Sequence, residues 1–330
     1  MLAALVQGGT VASASATPPT TYTVNTTQTT GSYASGMGDC KTGGSCSLPQ
    51  AINAYNGDTS GSDVITFSVH GTFGLGAKLA IDNTHGVSLD VEGLGPSATM
   101  LNGANTGGGI VGVDEFGGTG AVTLSGMSFS GSTGALEGGA IASAGALTLE
   151  GVVIKNNSAE NEGGILNDGG SLTVTGSTIT GNSASGGTDT PNVGGAIGNF
   201  GTLIINQSTI KGNTATGDGG GIYNQGTLTI DGSSVHGNSA NKGGGIYNTG
   251  SATLEDSCAV SGNNASNDGG GIWNNSTLVL DNSSVSGNIA GNDGGGVWNS
   301  GIAGSETNGG SGTVTNNSST VSKNVPDQLS

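Results

Sequence analysis

The chain contains no arginine: its six basic residues are all lysine, against 23 Asp and Glu, for a net charge of −17. A surface of that sign repels phosphate backbones, which argues against nucleic acid as a partner. Charged residues make up only 9% of the 330 and aromatics only 4%, so the surface is rich in amides and hydroxyls rather than polyanionic. With 32% hydrophobic residues there is too little apolar material for one large globular core. No apolar run approaches the ~18 residues of a membrane span. His70, His85 and His236 stand in unrelated positions, with no nucleophile or metal-ligand spacing around them. The glycine triplets lack the following Lys-Ser/Thr of a phosphate loop, and no cofactor motif is present.

What is abundant is glycine, at 68 positions, and it recurs with a period. The unit GGGIYNQGTLTIDGSSVHGNSA runs from Gly219 to Ala240, with counterparts opening at Gly194, Gly243, Gly269 and Gly294. Aligning on the apolar residue of the motif gives Ile110, Ile141, Ile165, Ile197, Ile222, Ile246, Ile272 and Val297, a period of roughly 25 residues. Within one unit, Ile222–Asn224, Leu228–Ile230 and Ser234–His236 alternate with period two and are bounded by Gly, Asn or Asp. That pattern predicts three strands and three turns per rung, which makes a triangular coil. A rung with one or two inward apolar residues per strand is stable only when stacked on its neighbours. The predicted fold is therefore all-β: a right-handed, single-stranded parallel β-helix of about ten rungs, roughly 45–50 Å long at ~4.8 Å per rung.

The chain divides into a signal-peptide-like remnant and linker over 1–21, a cap with irregular first rungs over 22–102, and the regular array over 103–328. Residues 1–16, MLAALVQGGTVASASA, have the apolar stretch and small-residue ending of a secretory leader, which predicts an extracellular, freely released product. In that oxidising setting Cys40 and Cys46 can close a small disulfide. Cys258 aligns with Thr178, Thr209, Ser234 and Ser284 and reads as a small substitute residue. Leu48, Ala51, Ile52 and Tyr55 predict a short helix across the open N-terminal edge, followed by a strand from Val64 to Val69 and strands at Leu79–Ile81, Val87–Val91 and Met100–Asn102. Insertions are expected at Val111–Gly120, Ser185–Asn192 and Ile302–Gly312.

The stretch Cys46-Ser-Leu-Pro-Gln-Ala-Ile52 with Asp63-Val-Ile-Thr-Phe67 resembles the CSLREA-type N-terminal segment of bacterial secreted β-helix proteins, departing from it at Pro49 and Gln50. The GGAI-like motifs, with Val235–Asn238 and Val285–Asn288, are similar to the GGAI/FxxN repeats of polymorphic outer-membrane proteins, with Ile or Val in place of Phe. Asn324-Val-Pro-Asp-Gln328 resembles the closing segment of such arrays. The resemblance implies an extracellular, adhesin-like surface β-helix and brings no catalytic motif.

Asn199, Asn224, Asn248, Asn274 and Asn299 form one asparagine column, and Asn182, Asn213, Asn238, Asn263 and Asn288 another, continued by Asn157. Stacked amides can bond to one another and to turn backbone, so both columns read as structural ladders. Glu137, Glu162, Asp218, Asp268 and Asp293 precede the glycine turns, with Lys242 interrupting; Glu150, Asn206, Asp231, Glu255 and Asp281 form a second column. Once-per-rung acidic positions read first as turn chemistry, and second as a possible calcium ladder. No discrete metal site is expected.

Three functions compete. In the favoured one the chain is a non-catalytic surface protein that contacts an extracellular glycan or cell surface through Tyr223, Tyr247, Trp273 and Trp298, bordered by Asp218, Asp268 and Asp293. Alternation turns those rings outward, where sugars could dock on them; the competing reading is that they only stack on one another. Earlier rungs place Val111, Ala142, Leu166 and Gly198 in that column. The second function is a polysaccharide lyase or glycoside hydrolase. The arginine base of pectate-lyase-like enzymes is missing, and an active site would show as an exception to the repeat that gathers carboxylates in a groove. The third is ice binding by the threonine columns Thr148, Thr173, Thr229, Thr253 and Thr202, Thr227, Thr277, which Ile204 and Val279 interrupt.

Overall fold

The computed structural model describes residues 19–28, 40, 44–59, 61–82, 84–104, 106–114, 120–186, 194–300 and 312–325. They form a parallel β-helix, with every strand pairing parallel to its counterpart one rung away. Three long sheets of eleven, ten and nine strands are joined by a fourth of six. The leader-like stretch, the linker up to 18, and most of the Ser185–Asn192 and Ile302–Gly312 insertions lie outside the described residues.

Inward residues stack like on like. Ile141, Ile165, Ile197, Ile222, Ile246, Ile272 and Val297 are fully buried in register in the nine-stranded sheet. The glycine triplet has a backbone reason. Gly219 sits at φ +71, and a Cβ there would lie 2.6 Å from the Ile222 carbonyl oxygen; a Cβ on Gly221 would lie 2.6 Å from the Gly245 oxygen one rung on. The turn folds back against the strand it precedes and leaves no room for a side chain.

Three features differ from the sequence expectation. A fourth strand, Ser239–Ala240 and its equivalents, follows the second asparagine in each regular rung, so those rungs have four sides rather than three. Its inward alanines, Ala184, Ala215 and Ala240, form a small buried apolar cluster of their own, apart from the main core. Val111 rather than Ile110 pairs with Ile141, which puts Gly112 rather than Val111 in the outward column and makes Val111–Val113 a strand, not the start of an insertion. Cys258 is not level with Ser234, which pairs with Ala259. The turn before it holds one extra residue, with Asp256 and Ser257 both at positive φ.

Helix α1, Leu48–Asn56, lies over the terminal strands at the N-terminal end. Gln50, one of the two departures from the CSLREA-type pattern, accepts the Ser47 N–H at 2.9 Å and so caps the first turn; Pro49 sits in that turn. At the other end of α1, Asn56 stands in for a missing rung: its Nδ2 donates to Ala80 C=O at 2.8 Å and its Oδ1 accepts the Asp82 N–H at 3.0 Å. Cys40 and Cys46 form a disulfide beside this cap.

Candidate functional site

Both asparagine columns are continuous hydrogen-bond ladders. In one, each Nδ2 donates to the Oδ1 of the next rung at 2.7 Å, from Asn167 through Asn199, Asn224, Asn248 and Asn274 to Asn299. In the other, each Oδ1 takes two donors from the rung before it: Asn238 accepts the Asn213 N–H and Nδ2, both at 3.0 Å, and donates to Ile210 C=O and Asn263. The column runs on through Asn182, Asn263 and Asn288 to Asn324. These amides are buried, and apart from Asn167 Oδ1, which has no partner, their oxygens and nitrogens are taken up by the ladders and the turn backbone.

The outward column of the nine-stranded sheet is where the repeat varies. It reads Ala80, Gly112, Ala142, Leu166, Gly198, then Tyr223, Tyr247, Trp273 and Trp298. The four rings stack nearly parallel, with centroids 5.2, 4.2 and 5.0 Å apart. The strip that alternation suggested is only partly open: Tyr247 and Trp298 are half-buried. Tyr223 and Trp273 are only 1% and 6% exposed, because each ring's faces are covered by its neighbours and the glycine turn folds back against its strand. Lys242 lies 5.5 Å above the Trp273 ring. Asp218 pairs with Lys242 through an isolated parallel β-bridge of the backbone and is half-buried; burial raises its pKa and the lysine charge opposes that rise. Asp268 is half-buried and Asp293 exposed.

Below Tyr223 the same furrow is not filled by rings. At Gly198 it holds the side chain of Glu162, whose Cγ lies 2.3 Å from where a Gly198 Cβ would stand. Below that it is open: a groove of about 350 Å³ lies over Ala142, Ser143 and Leu166, bounded by Leu136 and Glu137 on the glycine-turn side, by Asp168 at the far end of the strand, and by Lys78. Leu136 is 68% exposed. Glu162 stacks one rung above Glu137, held by Asn161 N–H to Leu136 C=O at 2.9 Å and Gly139 N–H to Glu162 C=O at 2.8 Å. Glu162 is 2% exposed and its Oε2 has no hydrogen-bond partner. Burial pushes its pKa up to about 8; the charges of Glu137 and Asp168 add to this, and the N–H groups of Glu162 and Gly138 oppose it.

This cluster is the exception to the repeat that the sequence could not single out. Glu137 and Glu162 are one-per-rung acids by sequence, and the burial of Glu162 depends on a glycine 36 positions later. Among the described residues no group of three or more His, Cys, Asp or Glu is arranged to hold a metal ion, and no helix is long and apolar enough to cross a membrane. The threonine columns lie in register on the eleven-stranded sheet, with Ile204 between Thr173 and Thr229 and Val279 beside Thr253. Comparison with family models, curated proteins and solved structures finds no match to this chain.

Proposed function

We propose that this is an extracellular β-helix surface protein that holds a neutral glycan chain in the open stretch of the furrow. The observation that carries the reading is the contrast within one outward column: rings or Glu162 fill it from Gly198 onward, while Ala142 and Leu166 leave it open. A groove of mixed lining, with Ala142 and Leu166 beside Ser143, Glu137, Asp168 and Lys78, suits a sugar chain, whose CH faces lie on leucine and whose hydroxyls donate to Glu137 and Asp168. Two carboxylates against the single Lys78 at the groove, and a net charge of −17, disfavour uronate and sulfated polymers. The Cys40–Cys46 disulfide suits an oxidising, extracellular compartment.

The test is Ala142→Tyr, which continues the ring column into the groove at a position where later rungs carry Tyr or Trp. On an array of neutral and anionic oligosaccharides the native protein should retain neutral chains, and the variant should lose them with melting temperature unchanged. Retention that survives the plug, or no retention by the native protein, overturns the reading.

A further inference from the structure

The lining of the open groove comes from four successive rungs. Lys78 precedes Leu79, Gly108 precedes Val111, Glu137 precedes Ile141 with Ala142 on the floor, and Leu166 and Asp168 belong to the rung of Ile165. Those strands are neighbours in that order in the nine-stranded sheet. Three steps of ~4.8 Å make the groove roughly 14 Å long, and it runs along the helix axis, across the strands. We infer, resting on the glycan-binding reading above, that the groove takes an extended β-1,4-linked chain of neutral hexoses, one sugar to a rung, and turns away chains that coil.

Two features of the lining select the linkage. The floor residues Ala142 and Leu166 are register partners, so the floor repeats once per rung. A β-1,4 chain leaves each ring through equatorial bonds at opposite ends, advances by close to one rung per sugar and stays straight, which sets one ring over each floor position. α-1,4 and β-1,3 linkages curl the chain, and a curled chain lifts off a straight floor after a ring or two. The second feature is the placing of the carboxylates. Glu137 stands at the glycine-turn wall of the Ala142 rung, and Asp168 stands at the opposite wall one rung on; both are exposed. In a two-fold β-1,4 ribbon each sugar is turned over relative to the last, so the same hydroxyl edge faces first one wall and then the other. One sugar thus donates to Glu137 and the next donates, through the same edge, to Asp168.

The experiment measures, by calorimetry on the full chain, binding of cello- and mannooligosaccharides of increasing length up to the hexaose, with maltohexaose and laminarihexaose as the coiled α-1,4 and β-1,3 chains. Affinity in the β-1,4 series should rise up to about three sugars, the span of the groove, and then level off. The coiled hexaoses should bind at least ~10-fold more weakly, and Glu137→Ala and Asp168→Ala should each lower the affinity for the three-sugar chain roughly 10-fold. A Cβ on Gly108 meets nothing within 4 Å, so Gly108→Trp puts a ring into one end of the groove without disturbing the fold. That variant should melt with the native protein, bind the three-sugar chain more weakly and bind the two-sugar chain as before. Coiled hexaoses bound as tightly as extended ones, affinity that keeps climbing to the hexaose, or a three-sugar chain bound equally well by Gly108→Trp overturns the inference and leaves glycan binding standing. No binding to any of these oligosaccharides overturns both.

Discussion

The two halves of the β-helix solve the same packing problem with different side chains. From Ile222 to Asn299 the outer furrow is closed by stacked rings, and the asparagine ladder beneath is unbroken. From Leu79 to Asn199 the column is small, and two acidic side chains occupy space left by glycines: Glu162 over Gly198, and Asp114, whose Oδ2 lies 1.9 Å from where a Gly145 Cβ would stand. Neither oxygen of Asp114 has a partner, and burial with the Asp82 charge pushes its pKa up to about 6. Filling with rings yields stability without chemistry. Filling with carboxyls leaves neutral acids and an open groove, as expected where local packing gives way to a site.

The comparison is broken most severely by cutting the ladder in its regular half. Asn238→Ala strands the Asn213 N–H and amide and the Ile210 carbonyl, all buried, and should cost roughly 3–6 kcal/mol in denaturant titration. Asn157→Ala, near the ladder's start, leaves one incoming donor, Ser132 N–H, and one orphaned carbonyl, Phe129 C=O, and should cost about half as much. Equal losses would mean that the halves do not differ in cooperativity.

Trp273→Ala removes a ring stacked on both faces and leaves a void in the covered furrow, an expected loss of roughly 3–5 kcal/mol. Leu166→Ala removes a smaller side chain that is 7% exposed and has no ring stacked on it, and should cost less, roughly 2–3 kcal/mol. A Trp273→Ala protein that melts with the native one would show that the stack contributes no stability.

The acid-filled half should also make stability depend on pH. Glu162 rises from 4.5 to about 8 and Asp114 from 3.8 to about 6 on folding, so the folded state binds more protons than the unfolded chain. Their contribution is complete below about pH 4 and is lost as pH climbs through 6 and then 8, a fall of a few kcal/mol. Melting temperatures at pH 4.5, 6.5 and 8.5 should decline in that order, and Glu162→Gln should remove the upper part of the decline. A flat profile, or a rise toward pH 8.5, would contradict the burial of these acids.

Much of this fold was legible because it repeats. The inward Ile column, both asparagine ladders, the cap helix and the Cys40–Cys46 pair follow from spacing and residue type alone. The fourth strand was missed because Ser239–Ala240 is too short to show alternation. The rings were read as outward, with stacking as the competing reading; that Tyr223 and Trp273 are buried was not visible, because alternation gives the direction of a side chain but not what folds back over it. The groove was not legible at all: it exists because Ala142 and Leu166 stand where Tyr and Trp stand later, and the burial of Glu162 over Gly198 arises between rungs, a relation that no window along the chain contains.

The smallest expected effect comes from Cys258, where the register differed from the sequence reading by one residue. The structure puts this buried thiol in a column of serines: Ser177 N–H donates to Ser208 Oγ at 3.1 Å, Ser208 N–H to Ser233 Oγ at 2.9 Å, and Ser283 N–H to Ser319 Oγ at 2.8 Å. Each of Ser177, Ser208, Ser233 and Ser283 also donates its hydroxyl to the carbonyl two residues back. Cys258 receives the Ser233 N–H on sulfur, and burial pushes its pKa up to about 12. Sulfur is a weak acceptor and the thiol a weak donor, so this rung carries the poorest link in the column. Cys258→Ser should restore an oxygen acceptor and leave stability unchanged or raised by no more than ~1 kcal/mol. In the native protein the thiol should resist alkylation at pH 8 until the chain is unfolded. A loss beyond that margin in Cys258→Ser would show that the extra residue in the Asp256–Ser257 turn has shifted the column so that only the longer C–S bond spans it.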